Sequence, residues 1–144
     1  MMNSRRIRPA ADVAVAYAAG DRGNGIAYAA VSTGSATGIV RLSFATPRLP
    51  ALEGLDAGYA AIAAVGAHLK ARGFARVRIR LGDARVVADL SGAGTPPKSL
   101  AMAYVKIRCV LRGLGSVRLE VAEPVEIRDL AARAQAEVGL HVAA

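Results

Sequence analysis

The residue with the most chemistry within reach is Asp83. It follows Gly82 inside the run RVRIRLGDARVVADLSG, residues 76–92. An aspartate at a strand-to-helix elbow can hold a divalent cation for phosphate chemistry. It can equally cap the first turn of the helix. A hard cation needs several oxygen ligands close together, so the other carboxylates decide between the two readings. The candidates are Asp21, Glu53, Asp56 and Asp129. Other reactive groups add little. Cys109 is the only cysteine. It falls in an apolar helical stretch, where a free thiol is expected as a small core hydrophobe. His68 has no Cys, Asp or second His at ligand spacing, which leaves it a surface or helix-end role. There is no nucleophile elbow and no zinc-ligand cluster.

These groups need a scaffold, and 144 residues suffice for one domain. A chain of that size buries roughly 70% of its unfolded surface. Hydrophobic residues make up 53%, many of them Ala, and aromatics only 4%. Tight helix packing on small side chains is expected. Nineteen Lys and Arg against 11 Asp and Glu give a formal net charge of +8. Such an excess suits a polyanion, although scattered arginines also fit a merely solvated surface. No apolar run is long enough for a transmembrane helix, and no membrane partner is expected. A lone cysteine points to a cytoplasmic location. Ser4-Arg5-Arg6-Ile7-Arg8 faintly resembles a twin-arginine export signal, but the apolar stretch 13–19 reads better as a strand.

Along the chain, residues 1–11 form a basic N-terminal arm, expected to be loosely held. Residues 13–17 are a short apolar run, read as a buried strand. Gly20-Asp21-Arg22-Gly23-Asn24-Gly25 follows, and Asn-Gly is a strong hairpin signal. A phosphate loop is the weaker reading there, because the glycine spacing matches no fingerprint. Strands are expected over 26–32 and 39–45, joined by the turn 33–38. A helix is expected over 52–72, with Leu52, Leu55, Tyr59, Ile62 and Leu69 on one stripe and Gly73 as its stop. In the next strand Val77, Ile79 and Leu81 alternate with Arg76, Arg78 and Arg80. That arginine row could track phosphates, or it could be paired or solvated. Asp83 opens a short helix to Leu90, ended by Ser91-Gly92. A helix over 100–112 buries Leu100, Tyr104, Ile107 and Leu111. A fifth strand spans 116–122 with Val117, Leu119 and Val121 on one face. A last helix spans 127–138, and 139–144 is expected to fray as a C-terminal tail. Residues 12–138 thus form a single domain.

The order is βββ-α-β-α-α-β-α, an α/β fold with a mixed five-stranded sheet: a three-strand antiparallel meander plus two further strands, with helices on both faces. That order resembles the ribonuclease H-like family. Ala57-Gly58-Tyr59-Ala60-Ala61-Ile62 is similar to the family's first-helix A-E-Y-x-A-L pattern. Gly82-Asp83-Ala84-Arg85-Val86-Val87 is similar to G-D-S-x-L-V-V. Leu130-Ala131-Ala132-Arg133-Ala134 is similar to the last-helix L-A-x-x-A. The Gly- and Asn-bearing first hairpin, 20–25, fits as well. The resemblance covers roughly residues 13–135.

The resemblance implies two divalent cations held by four acidic residues for phosphodiester hydrolysis. Matched position by position, three of the four are missing. Ala18 stands for the first-strand Asp, Gly58 for the first-helix Glu and Arg128 for the last-helix Asp. Only Asp83 matches. Asp21 falls in the turn. Asp56 lies about 200° around the helix from Gly58, and Asp129 is rotated by about 100° from Arg128. Asp129 is the best substitute, by a shift of one at a helix start. The first expectation is therefore a non-catalytic ribonuclease H-like domain that binds nucleic acid or a protein partner, with Arg22, Arg78, Arg80 and Arg85 as contacts and no metal or cofactor. The second is a Mg²⁺- or Mn²⁺-dependent ribonuclease acting on RNA/DNA hybrids through Asp83. The third is a structural homo-oligomer, in which a neighbour fills a cavity left by Ala18 and Gly58 or pairs with the edge of the third strand.

Overall fold

The computed structural model describes residues 8–47 and 49–143. The strands are β1 (Ala11–Ala19), β2 (Asn24–Thr33), β3 (Ala36–Ala45), β4 (Val77–Leu81) and β5 (Val117–Val121). The helices are α1 (Leu55–Ala71), α2 (Ala84–Leu90), α3 (Ala101–Arg112) and α4 (Pro124–Ala143). The sheet runs β3-β2-β1-β4-β5. β1, β2 and β3 pair antiparallel, while β1–β4 and β4–β5 pair parallel. This is the expected mixed five-stranded sheet.

Period-two alternation sorts the sheet's two faces. Val13, Val15, Val77, Ile79 and Leu81 point to one side and are fully or almost fully buried. They meet Tyr59, Ile62, Val65 and Leu69 of α1, with Val86, Leu90, Ile107 and Leu111 from α2 and α3. On the other side α4 covers β1 and β2. Ala18 and Ile26 pack there with Ala134 and Val138. Tyr28 donates to Glu137 at 2.6 Å, Arg41 also pairs with Glu137, and Arg133 lies over the Tyr28 ring at 5.7 Å. The register Tyr28↔Arg41 brings both to one helical carboxylate.

Several expected boundaries move. The first hairpin turns at Gly20–Gly23, closed by Gly20 N–H to Asn24 O at 2.8 Å, so Asn24 and Gly25 already belong to β2. Gly25 is needed for space, because a Cβ there would sit 2.2 Å from the Phe44 ring. The second hairpin is a two-residue turn at Gly34-Ser35, where Gly34 takes φ 65°, as a hairpin twist requires. The long helix expected from residue 52 splits. Pro50–Leu52 forms one 3-10 turn, Glu53 and Gly54 are left-handed at φ 51° and 86°, and α1 begins at Leu55. Arg76 takes φ 57° ahead of β4, which leaves Arg78 and Arg80 as the strand's arginine row. Val121 is exposed at the end of β5. Cys109 is exposed on α3, because Ile107 and Leu111 define the buried stripe and residue 109 falls off it.

The two ends also differ from expectation. Most of the basic arm, including the RR pair, lies outside the described residues. Its last part is anchored: Arg8 donates to Phe74 O at 2.8 Å, and Ala75 N–H donates to Pro9 O at 2.9 Å. The last helix starts earlier and runs further than 127–138. Pro124 occupies its first turn, and Glu126 N–H bonds to Glu123 O at 2.9 Å. Residues 139–143, expected as a frayed tail, continue the helix. Gly139 is a weak interruption between good helix formers.

Candidate functional site

β1 and β4 run parallel, so both finish at the same end of the sheet. Ligands of open α/β sheets bind at the carboxyl ends of strands. Here that end carries the β1–β2 turn with Asp21 and Arg22, and the β4–α2 elbow with Gly82, Asp83 and Arg85.

Asp83 is the N-cap of α2. Its carboxylate accepts the N–H groups of Arg85 at 3.0 Å and Val86 at 3.3 Å. The sequence Gly-Asp before a helical spacing predicts this cap, and the structure puts it in place. The second carboxylate oxygen faces the Tyr17 hydroxyl at 3.5 Å, the outer limit of a hydrogen bond. Burial, then the negative charge of Asp83, then this contact push the Tyr17 phenol well above its ordinary value.

Tyr17 is the residue that sequence reasoning missed. It belongs to the α1 side of β1, whereas Ala18 belongs to the α4 side. A Cβ on Gly58 would lie 2.7 Å from the Tyr17 hydroxyl oxygen and 2.5 Å from a Val86 methyl. The phenol therefore occupies the space beside Gly58 where the resemblance implies a carboxylate. Ala18 is likewise enclosed by Ala134 and Val138. A cavity was expected at these two small residues. Side chains of the same chain fill it. A tyrosine two residues after Val15 in an apolar strand is an ordinary core pattern, so no local signal announces the role.

The substitute carboxylates are dispersed. Asp56 is 3% exposed and accepts from Leu49 N–H and Ala57 N–H, both at 3.0 Å. Burial by itself would raise its carboxyl, but these donors and the Thr46 hydroxyl outweigh it and hold the group below its ordinary value. Asp56 thus ties the 3-10 segment to the start of α1. Asp129 and Arg128 are exposed. With α4 starting at Pro124, both lie beyond its first turn. Among the described residues, no three His, Cys, Asp or Glu side chains gather as a metal site would require.

The arginines separate into two groups. Arg22 and Arg85 are exposed at the carboxyl end of the parallel strands. Arg78 and Arg80 lie on the sheet face that α4 leaves open. Arg78 pairs with Glu120 and has Asp12 at 3.9 Å; Arg80 pairs with Glu126. The register rows Asp12↔Arg78 and Arg80↔Glu120 place opposite charges side by side, as cross-strand pairs prefer. The β4 row is thus engaged by acids of β1, β5 and α4.

Beside this geometry stand the comparisons with known proteins. No family model matches the chain, and no curated protein matches its sequence. Solved structures do match. Ribonuclease H1 from the halophilic archaeon Halobacterium salinarum superimposes with a TM-score of 0.69 at 18% identity, covering 89% of this chain and 98% of its own. The N-terminal ribonuclease H domain of a Mycobacterium tuberculosis protein gives 0.70 at 15% identity, over 93% of this chain and 99% of that one. A compost-derived ribonuclease H1 crystallised with an RNA/DNA hybrid gives 0.60 at 12% identity, over 87% and 91%. Sheet order, helix placement and these superpositions agree, and the chain has a ribonuclease H-like fold.

Proposed function

We infer that this domain binds nucleic acid at the carboxyl end of β1 and β4 and does not hydrolyse it. One observation carries the second half of the reading: the Tyr17 hydroxyl and a Val86 methyl stand where a side chain on Gly58 would have to be. A two-metal cage needs several carboxylates within reach of both ions, and the residues present do not make one. Asp83 alone, already accepting two backbone N–H groups, leaves too little negative charge to hold a pair of cations. The net charge of +8, the exposed Arg22 and Arg85, and the hybrid-bound relative of the same fold support nucleic acid as the partner. Arg78 and Arg80 contribute less, because a phosphate would have to displace Glu120 and Glu126.

The test combines binding and cleavage on one RNA/DNA hybrid duplex. Binding should weaken with salt, by roughly 0.9 log units per log of salt for each phosphate engaged. Arg22→Glu and Arg85→Glu should each weaken it, and Arg78→Glu should do so less. No RNA cleavage should appear with Mg²⁺ or Mn²⁺. Cleavage abolished by Asp83→Asn would establish the metal-dependent ribonuclease instead. An absence of binding to hybrid, duplex and single strands at low salt would remove the nucleic-acid reading.

A further inference from the structure

The strongest unassigned feature is at the opposite end of the parallel strands. A cleft of about 570 Å³ runs beside β5, between the end of α2 and the last turn of α3. It touches the consecutive residues Gly115 to Leu119. Successive side chains of a strand alternate between faces. Of the cleft residues, Val117, Arg118 and Leu119 are successive residues of β5, so the cleft runs along the strand's edge and not over one face.

That edge has hydrogen-bonding capacity to spare. β5 is terminal in the sheet. Val77 N–H bonds to Ser116 O, and Ala122 N–H bonds to Leu81 O, both at 2.8 Å. In a parallel ladder these two bonds set the alternation. Residues 116, 118, 120 and 122 turn their backbone groups toward β4, and Val117, Leu119 and Val121 turn theirs outward. Among the described residues none of those outward N–H and C=O groups bonds to another segment. Two arginines flank the row on the α3 side. Arg108 and Arg112 stand on α3 one turn apart, whereas Arg118 is in register with Arg78 and points to the other face of the sheet. Arg108 is held in position by donating to Leu90 O at 2.8 Å, with its guanidinium 5.9 Å from the Tyr104 ring centre. Among the described residues no carboxylate lines the cleft.

We propose that the β5 edge is a docking site for an extended acidic peptide, which adds as a sixth strand and sets its carboxylates against Arg108 and Arg112. The backbone row selects the class of partner. The phosphates of a nucleic-acid strand accept but do not donate, so a contact led by phosphates would leave the carbonyls of Val117 and Leu119 facing acceptors. A peptide strand offers N–H and C=O alternately and satisfies both. Charge selects the kind of peptide. A second copy of this chain would bring its own arginines against these and carries the same +8, whereas acidic side chains are drawn in.

The experiment uses the full chain and a fluorescent peptide of alternating Val and Glu, with an alternating Val and Lys peptide as control. Anisotropy at low salt should show binding of the acidic peptide alone, and hydrogen exchange should show the Val117 and Leu119 amides becoming protected. Val117→Pro removes an outward N–H without breaking the bonds to β4, a place where an edge strand tolerates proline, and should abolish binding. Arg112→Glu should weaken binding about tenfold. If Val117→Pro fails to fold, Arg108→Glu and Arg112→Glu together serve, and should eliminate binding. The proposal falls if the acidic peptide does not bind, if binding survives these substitutions in folded protein, or if an RNA/DNA hybrid protects the Val117 and Leu119 amides in the peptide's place.

Discussion

Two tyrosine–aspartate pairs hold the two ends of α2, and they are built differently. At the C-terminal turn, Tyr59 of α1 donates to Asp89 at 2.7 Å, and the two residues are 1% and 3% exposed. At the N-cap, Tyr17 of β1 faces Asp83 at 3.5 Å in a half-buried setting. Asp89 lies where a lost donor cannot be replaced by water. Asp83 has two backbone N–H donors and open solvent beside it. The same two side-chain types therefore form a structural lock at one end and a loose contact at the other. The loose end is the one at the carboxyl ends of the parallel strands β1 and β4. Its tyrosine works chiefly by filling space beside Gly58.

Alkali should break both pairs together. Burial, followed by the neighbouring carboxylate, raises the Tyr17 phenol above its ordinary value of 10.0. For Tyr59, burial comes first and the Asp89 hydrogen bond second. The unfolded chain releases these protons near the ordinary value while the folded chain keeps them. Their stabilisation is complete below pH 10.0 and declines as pH rises above it. Phenolate absorbance from Tyr17 and Tyr59 should appear only together with unfolding, followed by circular dichroism. Ionisation of both in a still-folded protein would contradict the burial assigned to them.

Substitutions then separate the pairs. Tyr59→Phe strands the buried Asp89 carboxylate and should lower unfolding free energy by about 2–3 kcal/mol in urea. A loss below about 1 kcal/mol would make the two pairs equivalent. Gly58→Ala places its Cβ against Val86 and the Tyr17 hydroxyl and should cost about 1–3 kcal/mol, partly relieved when Tyr17→Ala is added. A neutral Gly58→Ala would mean that the space is not filled as described. Asp83→Ala removes a helix cap and should cost about 1 kcal/mol, whereas Asp83→Asn, an equally good cap, should cost a few tenths. Tyr17→Phe should have the smallest effect, under about 0.5 kcal/mol, because a contact at the limit of hydrogen bonding is lost from a partly wet site.

Much of the scaffold is legible in the sequence. Alternation in Val77-Arg78-Ile79-Arg80-Leu81 marked a strand with one hidden face. The Leu55, Tyr59, Ile62 and Leu69 spacing marked the buried stripe of α1, and Gly82-Asp83 marked a capped elbow. Each signal is local, and local periodicity survives into the fold because burial acts on one face at a time. The boundaries that moved depended on contacts between distant segments. Asp56 holds Leu49 and Thr46, so the chain breaks at Glu53-Gly54 before α1 can begin. Phe44 lies over Gly25, so that glycine belongs to a strand and not to the turn.

The candidate site divides the same way. Residue types alone settled that Ala18, Gly58 and Arg128 bring no carboxylate, since a missing functional group needs no geometry to be seen. That same list could not say what occupies the space. Tyr17 reaches Gly58 only because β1 packs under α1, although the two lie 41 positions apart in the chain. Spacing leaves the Arg78 and Arg80 row either open to phosphates or paired with acids, and the sheet decides by bringing Glu120 from β5 and Glu126 from α4 beside them. Spacing along a chain determines which face a side chain takes. Which other side chain it meets there is decided by packing between segments far apart in sequence, where no local pattern carries the information.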